Sequence, residues 1–385
     1  MPKKIYLDNA ATTPVDKKVV EKMLPFFTKE YANASSQHLF GKEAKKHLDK
    51  SRKIIAKEIN ARPREIIFTS GGTESNNLAL KGLFFKEKEK NSEKNHIITT
   101  KIEHDCILKT CNWLEKNQNV KVTYLNVDSQ GFIDLEQLKE SITEKTFLVS
   151  VIHGNNEIGT IQNLEKIGKI CHEQEVLFHT DACQSFTKTK IDVKKQNLDL
   201  VTLNSHKIHG PKGVGALYIG ERVKITPLMH GGGHEQGLRS GTENIPGIVG
   251  FAQAVKIAKK RDVENMRKNR DKLIKELLKI PRVKLNGPEG DKRLCNNVNV
   301  SFSNVEGEAI GGYLEALGIY TSTGSACMSH SLKSSHVLKA IGLDGKDSNS
   351  SLRISINKYL TEEEINYFLK NIKKIVKKLR RISPF

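Results

Sequence analysis

Between about residues 65 and 220, short apolar runs alternate with longer segments that have the amphipathic periodicity of helices, such as NLEKIGKICHEQ. Strands of a parallel sheet are buried on both faces and joined by helical crossovers, and their sequences are therefore continuous apolar runs. The alternation predicts an α/β fold with a mainly parallel sheet and helices on both of its faces. Ligands bind such sheets at the carboxyl ends of the strands. The apolar runs are EIIFTS, HIITT, FLVSVIH, VLFHTD, LVTLNS and GVGALYIG.

The pattern changes in the last third of the chain. Residues 252–280 are predicted to form one long charged helix, and shorter strands, NNVNVSF and LRISI, follow Pro281. Thr361 and Glu364 have the spacing of a capping box, which predicts the start of a final helix. One stripe of that helix is apolar and is expected to be buried: Ile365, Phe368, Leu369, Ile372, Val376 and Leu379.

No internal repeat and no low-complexity linker separates the two regions. We therefore expect a large domain over residues 15–260 and a smaller α+β domain, made of residues 1–14 and 261–385, that packs firmly against it.

Composition excludes several classes of protein. The six cysteines of the 385-residue chain lack the density and spacing of a disulfide framework, so we expect reduced thiols and a cytoplasmic location. No apolar stretch approaches the roughly 20 residues that a membrane-spanning helix needs. The formal charge of +19 raises the possibility of nucleic-acid binding, but lysines are spread along the whole chain and only 6% of residues are aromatic. Solvated lysines are therefore favoured over a nucleic-acid surface, and membrane association is not expected.

Polar residues stand where three of the predicted strands end. FTSGGTESNN (68–77) leads from a strand into a helix, where Gly72 and Thr73 would present a phosphate with backbone N–H groups and a hydroxyl. A simple helix cap at Thr73 is an equally good interpretation. A second strand ends at Asp181, and a third is followed by Lys207 and a Gly-Pro turn. Taken alone, Lys207 has the pattern of a surface lysine.

These three features together match the needs of a pyridoxal phosphate site. Lys207 would form a Schiff base with the aldehyde of the cofactor. Asp181 would keep the pyridine nitrogen protonated, and the glycine-rich loop would hold the phosphate. Pyridoxal phosphate is therefore the cofactor that the strand ends predict.

Cys327 lies in TSTGSACMSH (321–330), a stretch of small residues without apolar periodicity. This setting favours an exposed, reactive thiol in a mobile loop of about residues 321–333 over an inert small residue. Cys106 and Cys111 are five residues apart and have no second pair at the spacing of metal ligands. We therefore expect no metal site.

Eight motifs together make the chain recognisable. They resemble, in order and spacing, those of the cysteine desulfurases of the NifS and IscS type, which are class V aminotransferases of fold-type I, and the resemblance runs from about residue 5 to residue 380. It implies a mainly parallel seven-stranded sheet flanked by helices, a smaller α+β domain and bound pyridoxal 5'-phosphate. The motifs are YLDNAATTP, TSGGTESNN, HGNNEIGT, HTDACQS, SHKIHGPKG, MHGGGHEQGLRSGT, GSACMSHS and SLRIS.

The resemblance also implies roles in the reaction. Lys207 matches the Schiff-base lysine, and His104 matches the histidine that stacks on the cofactor ring and assists proton transfer. Arg353 matches the arginine that binds the substrate carboxylate, and Asn156 the asparagine beside ring and substrate. Cys327 matches the catalytic cysteine, which attacks the sulfur of the substrate and carries it as a persulfide.

The remaining implied contacts hold the cofactor. Asp181 matches the partner of the ring nitrogen, and Gln184 the donor to the ring hydroxyl. Thr73 and His206 match phosphate ligands, with Gly72 in the same loop. Thr242 matches a threonine that reaches the phosphate of the neighbouring subunit, and a homodimer is implied.

The chain departs from the family pattern at several positions. Ala32 and Ala34 replace a usual glycine and proline near the site. Asn204 stands where a serine usually donates to the phosphate, and we expect its amide to donate instead. The chain ends at Phe385, without the C-terminal tail by which IscS-type members bind their scaffold protein, so the identity of the sulfur acceptor stays open.

The expected function is desulfuration of L-cysteine to L-alanine, with sulfur supplied to an acceptor protein such as an iron-sulfur scaffold. Thiolation of tRNA is an alternative use of the sulfur. Cys327 could also serve, together with a scaffold protein, as a ligand of an iron-sulfur cluster. Two other functions stay open: a related lyase or aminotransferase, for example one acting on selenocysteine, and a basic, non-catalytic scaffold that binds RNA or an acidic partner.

Overall fold

The computed structural model describes residues 4–323 and 335–382. Its main sheet has seven strands in the order β2-β8-β7-β6-β5-β3-β4. Strands β3 to β7 run parallel to one another, whereas β8 is antiparallel to both β2 and β7. The prediction of a mainly parallel, seven-stranded sheet is therefore confirmed. The strands are β1 Ile5–Tyr6, β2 Ile66–Thr69, β3 His96–Thr100, β4 Lys121–Leu125, β5 Thr146–Ser150, β6 Leu177–Asp181, β7 Leu200–Asn204, β8 Gly215–Ile219, β9 Val283–Leu285, β10 Asn297–Phe302, β11 Ile319–Tyr320 and β12 Ser351–Ser355.

Helices cover both faces of the main sheet. Ile66 and Phe68 of β2 pack into one core cluster with α3, α7 and α8, whereas Ile67 packs into a second cluster with α4 and α5. Cys171 of α7 is buried in the first cluster. Ile67 faces the opposite side of the sheet from Ile66 and Phe68 because successive side chains of a strand point to opposite faces. The helices are α1 Lys17–Met23, α2 Pro25–Thr28, α3 Leu39–Glu58, α4 Gly72–Glu89, α5 Asp105–Gln118, α6 Leu135–Ser141, α7 Leu164–Glu173, α8 Ile245–Ile257, α9 Lys260–Leu278, α10 Gly307–Glu315, α11 His336–Ala340, α12 Gly345–Asn349 and α13 Glu362–Ile382.

Strand β4 is not among the apolar runs that the sequence pattern identified. It forms the edge of the sheet beside β3, and only Leu125 of its five residues is buried. An edge strand with one partly exposed face has no continuous apolar run, which is why KVTYL gave no signal.

The prediction of one helix over 252–280 is wrong. Helix α8 ends at Ile257 and α9 begins at Lys260, because Ala258 and Lys259 have extended backbone conformations. Phe251 of α8 packs into the core of the main sheet, whereas Leu273 of α9 packs into a separate cluster. The chain must change direction to reach both, and packing overrides the local helix propensity of the lysines.

The C-terminal region has its own sheet and core. Strand β10 pairs antiparallel with β9 and β12, and β1 pairs in parallel with β11. Thr361 and Glu364 form the expected capping box at the start of α13, and the apolar stripe of that helix is buried. The cluster also contains Ile5 and Leu7. It supports the division into domains at residues 14 and 260, which stays a prediction.

Over residues 4–323 and 335–382, no helix combines the length and the apolar character that crossing a bilayer requires.

Candidate active site

A cavity of about 470 Å³ opens at the carboxyl ends of the parallel strands, where the sheet topology predicts a ligand. Backbone turns after β2, β3, β6 and β7 contribute to its wall, and β12 contributes a side chain from the C-terminal sheet. The sequence therefore brings together ten of the predicted site residues at one place. They are Gly72, Thr73, His104, Asn156, Asp181, Gln184, Asn204, His206, Lys207 and Arg353.

The turn from β2 into α4 forms a cradle at one end of the cavity. Gly71 is the N-cap of α4 and has no capping side chain, so the alternative of a helix cap at Thr73 is wrong. The first N–H groups of a helix have no partner within it and can bind an anion. A Cβ on Gly72 would lie 2.6 Å from Cys183 Sγ and 3.5 Å from Asn204 Nδ2. Only glycine fits this close approach, and the donors of the cradle suit a phosphate group.

Asn204 and His206 lie beside the cradle. Asn204 Oδ1 accepts the backbone N–H of His206 at 3.2 Å, which leaves the Nδ2 group of the amide as a donor. His206 Nδ1 lies 3.0 Å from Thr12 Oγ1. Burial and the neighbouring Lys207 ammonium lower the pKa of His206 to about 4. At neutral pH it therefore acts as a hydrogen-bonding group and not as a cation.

Lys207 projects into the cavity from the loop after β7. Its Nζ donates to the carbonyl oxygen of Ala11 at 2.7 Å and to that of Ala10. Gln184 Nε2 donates to the same Ala10 carbonyl at 2.8 Å. The N-terminal segment thus fixes two of the predicted cofactor ligands, although neither alanine was a predicted site residue.

Asp181 ends β6 in a buried position, 4% exposed. Its Oδ1 accepts the backbone N–H of Cys183 at 2.9 Å, and its Oδ2 accepts Asn76 Nδ2 at 2.7 Å. A carboxylate held by two donors in a buried setting meets the need of a protonated pyridine nitrogen for a fixed anionic partner.

His104 begins α5. It is the N-cap of the helix, and its Nδ1 accepts the backbone N–H of Cys106 at 3.2 Å. This contact orients the imidazole toward the cavity wall, on which Asn156 also lies. Because the imidazole caps the helix, the direction of the His104 ring is fixed by this local contact.

Arg353 reaches the cavity from β12 and is only 3% exposed. Its Nη2 donates to Asp8 Oδ1 at 2.8 Å and to Ser322 Oγ at 3.1 Å. Its buried Nε has no hydrogen-bond partner in the described part of the chain. A buried guanidinium with an unused donor is suited to bind a carboxylate from a ligand.

The two remaining predicted residues are Thr242 and Cys327. Thr242 is exposed and is not part of the cavity wall, and its role toward a neighbouring subunit stays a prediction. Cys327 lies outside the described residues. The chain leaves the described structure at Thr323, next to Ser322, which contacts Arg353.

Two further residues of the wall, Asn76 and Cys106, were also missed by the sequence analysis. Asn76 follows Thr73 by three residues and therefore shares its face of α4, a signal that could have identified it. Cys106 follows His104 at the start of α5 and carried no comparable signal.

The described thiols of the site are not reactive anions. Burial raises the pKa of Cys106 to about 12, and it also raises the pKa of Cys183 well above its usual value. Because a thiolate is the nucleophilic form, neither is suited to attack a substrate. No group of three or more candidate ligands for a metal ion occurs among the residues that the structure describes.

Comparison with known proteins places the chain in a family. The aminotransferase class-V profile matches residues 5–368. The cysteine desulfurase IscS of Clostridium botulinum strain Hall is 48% identical over 389 residues, which cover 100% of this chain and 97% of that relative. A solved structure of a NifS-like protein superposes with a TM-score of 0.90 at 41% identity and covers 98% of this chain and 100% of its own. A structure described as SspA in complex with cysteine gives a TM-score of 0.83, also at 41% identity, covering 93% and 100%. The chain belongs to the class-V aminotransferase family.

Proposed function

We propose that this protein is a cysteine desulfurase, which uses pyridoxal phosphate to convert L-cysteine into L-alanine and passes the sulfur on as a persulfide. The observation that carries the proposal is the convergence of Lys207, Asp181, the α4 cradle and Arg353 on one cavity. The names of the relatives support the same activity. When bound, pyridoxal phosphate supplies an electron sink beside the substrate Cα. Lys207, Asp181, Gln184 and the cradle would hold it.

Arg353 positions the substrate. Its Nε, which has no partner among the described residues, can donate to the substrate carboxylate, while Asp8 and Ser322 accept from Nη2 and hold the guanidinium in place. Fixing the carboxylate orients the Cα–H bond and the Cβ–S bond relative to Lys207 and His104.

Lys207 and His104 handle the protons. The Lys207 amine can take the proton from Cα, and the carbonyls of Ala10 and Ala11 retain Nζ in the cavity. His104 lies on the same wall and would exchange a second proton. The side chains of the cavity therefore supply both a base and an acid for the reaction.

Cys327 is the proposed nucleophile. Its thiolate attacks the sulfur of the substrate, so that a new S–S bond forms as the C–S bond breaks. The electrons of the broken bond stay with the substrate carbon, which takes up a proton to give alanine. The product on the enzyme is a Cys327 persulfide, from which the sulfur is transferred to an acceptor.

We further infer a cytoplasmic homodimer that serves a sulfur-acceptor protein, such as an iron-sulfur scaffold. A dimer is supported by the exposed apolar side chains near the N-terminus, among them Phe27, Tyr31 and Leu39, and Thr242 would reach the cofactor phosphate of the second subunit. The cytoplasmic location is supported by the free thiols of the described cysteines.

The test is incubation of the protein and pyridoxal phosphate with L-cysteine, with alanine and sulfide measured and labelled sulfur used to locate the persulfide. We expect a yellow protein, equal yields of alanine and released plus bound sulfur, and label on Cys327. A colourless protein without turnover would contradict the proposal and favour a non-catalytic basic scaffold. Turnover of selenocysteine but not of cysteine would favour a lyase of that specificity.

Cys327→Ser is expected to keep the yellow colour and to lose persulfide formation and sulfide release, by at least about 100-fold, because serine is a poor nucleophile toward sulfur. Ser329→Ala, in the same short stretch, is the matched control and should retain activity. Sulfide release by Cys327→Ser at the rate of the unchanged protein would remove Cys327 from the mechanism.

Lys207→Ala is expected to lose both the visible absorbance and turnover, since no other described lysine has its Nζ beside the carbonyls of Ala10 and Ala11. The absorbance spectrum and the alanine assay measure the two effects separately. Normal turnover in this variant would refute the assignment of the whole site.

A further inference from the structure

A chain of hydrogen bonds runs along the cavity wall from Asp181 to His104. Asn76 Nδ2 lies 2.7 Å from Asp181 Oδ2 and 3.0 Å from Cys106 Sγ. Cys106 Sγ in turn lies 3.0 Å from His104 Nδ1. The two intermediate residues, Asn76 and Cys106, have no part in the reaction as described so far.

The two ends of this chain fix its direction. Both carboxylate oxygens of Asp181 accept hydrogen bonds, so the amide of Asn76 presents its two N–H groups, one to Asp181 and one to the sulfur of Cys106. At the other end, the backbone N–H of Cys106 can only donate, and it donates to His104 Nδ1. Nδ1 therefore carries no proton, and the thiol of Cys106 must also be a donor toward it.

The environment keeps the thiol in the state that this role requires. Burial raises the pKa of Cys106 to about 12, and the nearby Asp181 charge acts in the same direction. The thiol thus keeps its proton at neutral pH, with the sulfur accepting from Asn76 while its S–H group points to the imidazole. Because two donors converge on Nδ1, that nitrogen is an acceptor and the ring proton lies on Nε2.

We propose that Cys106 is a positioning residue that, with Asn76 behind it, holds His104 in the tautomer protonated at Nε2. His104 then serves the reaction as a proton donor from Nε2, since its other nitrogen is occupied by the thiol and the backbone N–H of Cys106. This inference rests on the proposed function, in which His104 exchanges a proton with the substrate. In this arrangement Lys207 acts as the base and His104 as the acid.

The experiment compares the unchanged protein with Cys106→Ala and Cys106→Ser. Nitrogen NMR of the cofactor-free protein reports the tautomer of His104, with the His104→Gln spectrum identifying its signals. Cys111→Ala is the matched control, because Cys111 lies on the same helix, is buried and is not part of the cavity wall. Steady-state desulfuration of cysteine by the loaded enzymes supplies kcat and KM.

Cys106→Ala keeps the backbone N–H contact to Nδ1 at 3.2 Å but loses the thiol contact at 3.0 Å, so we expect part of the His104 population to shift to the Nδ1-protonated tautomer. The variant should lower kcat about 3- to 10-fold, the worth of one hydrogen bond, with KM changed less than about 2-fold. Cys106→Ser, whose hydroxyl can donate and accept in the same way, should keep the tautomer and restore kcat to within about 2-fold.

An unchanged tautomer in folded Cys106→Ala would overturn the inference, whether or not kcat falls, because a purely structural effect would lower kcat without moving the proton. Failure of serine to restore the tautomer would also contradict it. If the unchanged protein failed to turn over cysteine, the proposed function would be wrong, whereas the NMR comparison would still decide the role of Cys106.

Discussion

Glu103, next to His104, is a buried acid that the proposed reaction does not use. Its Oε1 accepts Thr100 Oγ1 and the backbone N–H of Ile152, both at 2.8 Å. Its Oε2 has no partner within residues 4–323 and 335–382. Burial raises the pKa of Glu103 to about 8, and the charge of Asp181 acts in the same direction. The side chain is therefore neutral at neutral pH, which avoids a second negative charge beside Asp181.

This shift predicts how stability depends on pH. Between pH 4.5, where a glutamate ionises in the unfolded chain, and about pH 8, the folded protein binds the proton of Glu103 more tightly. The contribution of Glu103 to stability is therefore complete below pH 4.5 and declines as pH rises to 8, by at most about 1.4 kcal/mol per pH unit.

Glu103→Gln should remove this dependence, and urea unfolding of the cofactor-free proteins at pH 6.5, 7 and 8 measures it. The free energy of unfolding of the variant relative to the unchanged protein should rise by about 1–2 kcal/mol across that range. Exposed Glu93→Gln is the control and should give a constant difference. If the free energies of unfolding of Glu103→Gln and of the unchanged protein changed equally with pH, Glu103 would be ionised in the folded protein.

At the scale of elements, apolar runs predicted the strands well because parallel strands are buried on both faces. The polar residues at their ends, Asp181 and Lys207, could be predicted to converge, since parallel strands present their carboxyl ends on the same edge. The break at Ala258 could not be predicted, because it depends on which core each helix joins and not on local propensity. The contact of Ala10 with Lys207 joins residues 197 positions apart through a backbone carbonyl, which no side-chain pattern reveals.

The turn between β2 and α4 offers a test of local packing. A methyl group on Gly72 would lie 2.6 Å from Cys183 Sγ, closer than atoms can pack. Gly72→Ala should therefore destabilise the protein by about 1–3 kcal/mol and weaken cofactor binding, since either the cradle or Cys183 must shift.

Cys183→Ala removes the sulfur and should restore much of the loss in the double variant. Unfolding and cofactor-titration measurements on both single variants and the double variant give the coupling energy, which we expect to favour the double variant by more than about 0.5 kcal/mol. Additive effects would mean that Gly72→Ala acts through its backbone conformation and not through this contact.

At the scale of the whole molecule, the cavity takes side chains from both cores. Lys207 and Asp181 come from the main sheet, whereas Arg353 comes from β12 of the C-terminal sheet and pairs with Asp8. The N-terminal segment joins the two, because Ala11 binds Lys207 and Ile5 packs in the second core. The candidate site therefore depends on how the two cores are held together, and sequence motifs alone could not give that arrangement.

The N-terminal surface also carries an apolar patch, which we define as Leu24, Phe27, Tyr31, Leu39 and Phe40. Leu39 is 80% exposed, and the rings of Tyr31 and Phe40 are in edge contact at 5.2 Å. Neighbouring apolar side chains with this exposure are unusual on a monomer and mark an interaction surface. The proposed homodimer gives this patch an occupant, the second copy of the chain.

If the patch lies in the dimer interface, charges placed on it should separate the subunits. Phe27→Glu with Leu39→Glu should raise the dimer dissociation constant at least about tenfold, because each substitution removes apolar burial and places a carboxylate in the interface. Ile382→Glu is the matched control, since Ile382 is 66% exposed on α13 and lies outside the patch. Sedimentation equilibrium measures the dimer dissociation constant of the unchanged protein, the double variant and the control.

A dimer of unchanged affinity in the double variant would place the interface elsewhere, and a monomer in the unchanged protein would contradict the homodimer itself. Because Thr242 is proposed to act across the interface, the dissociated variant should also bind pyridoxal phosphate more weakly, a loss that a surface unrelated to assembly would not produce.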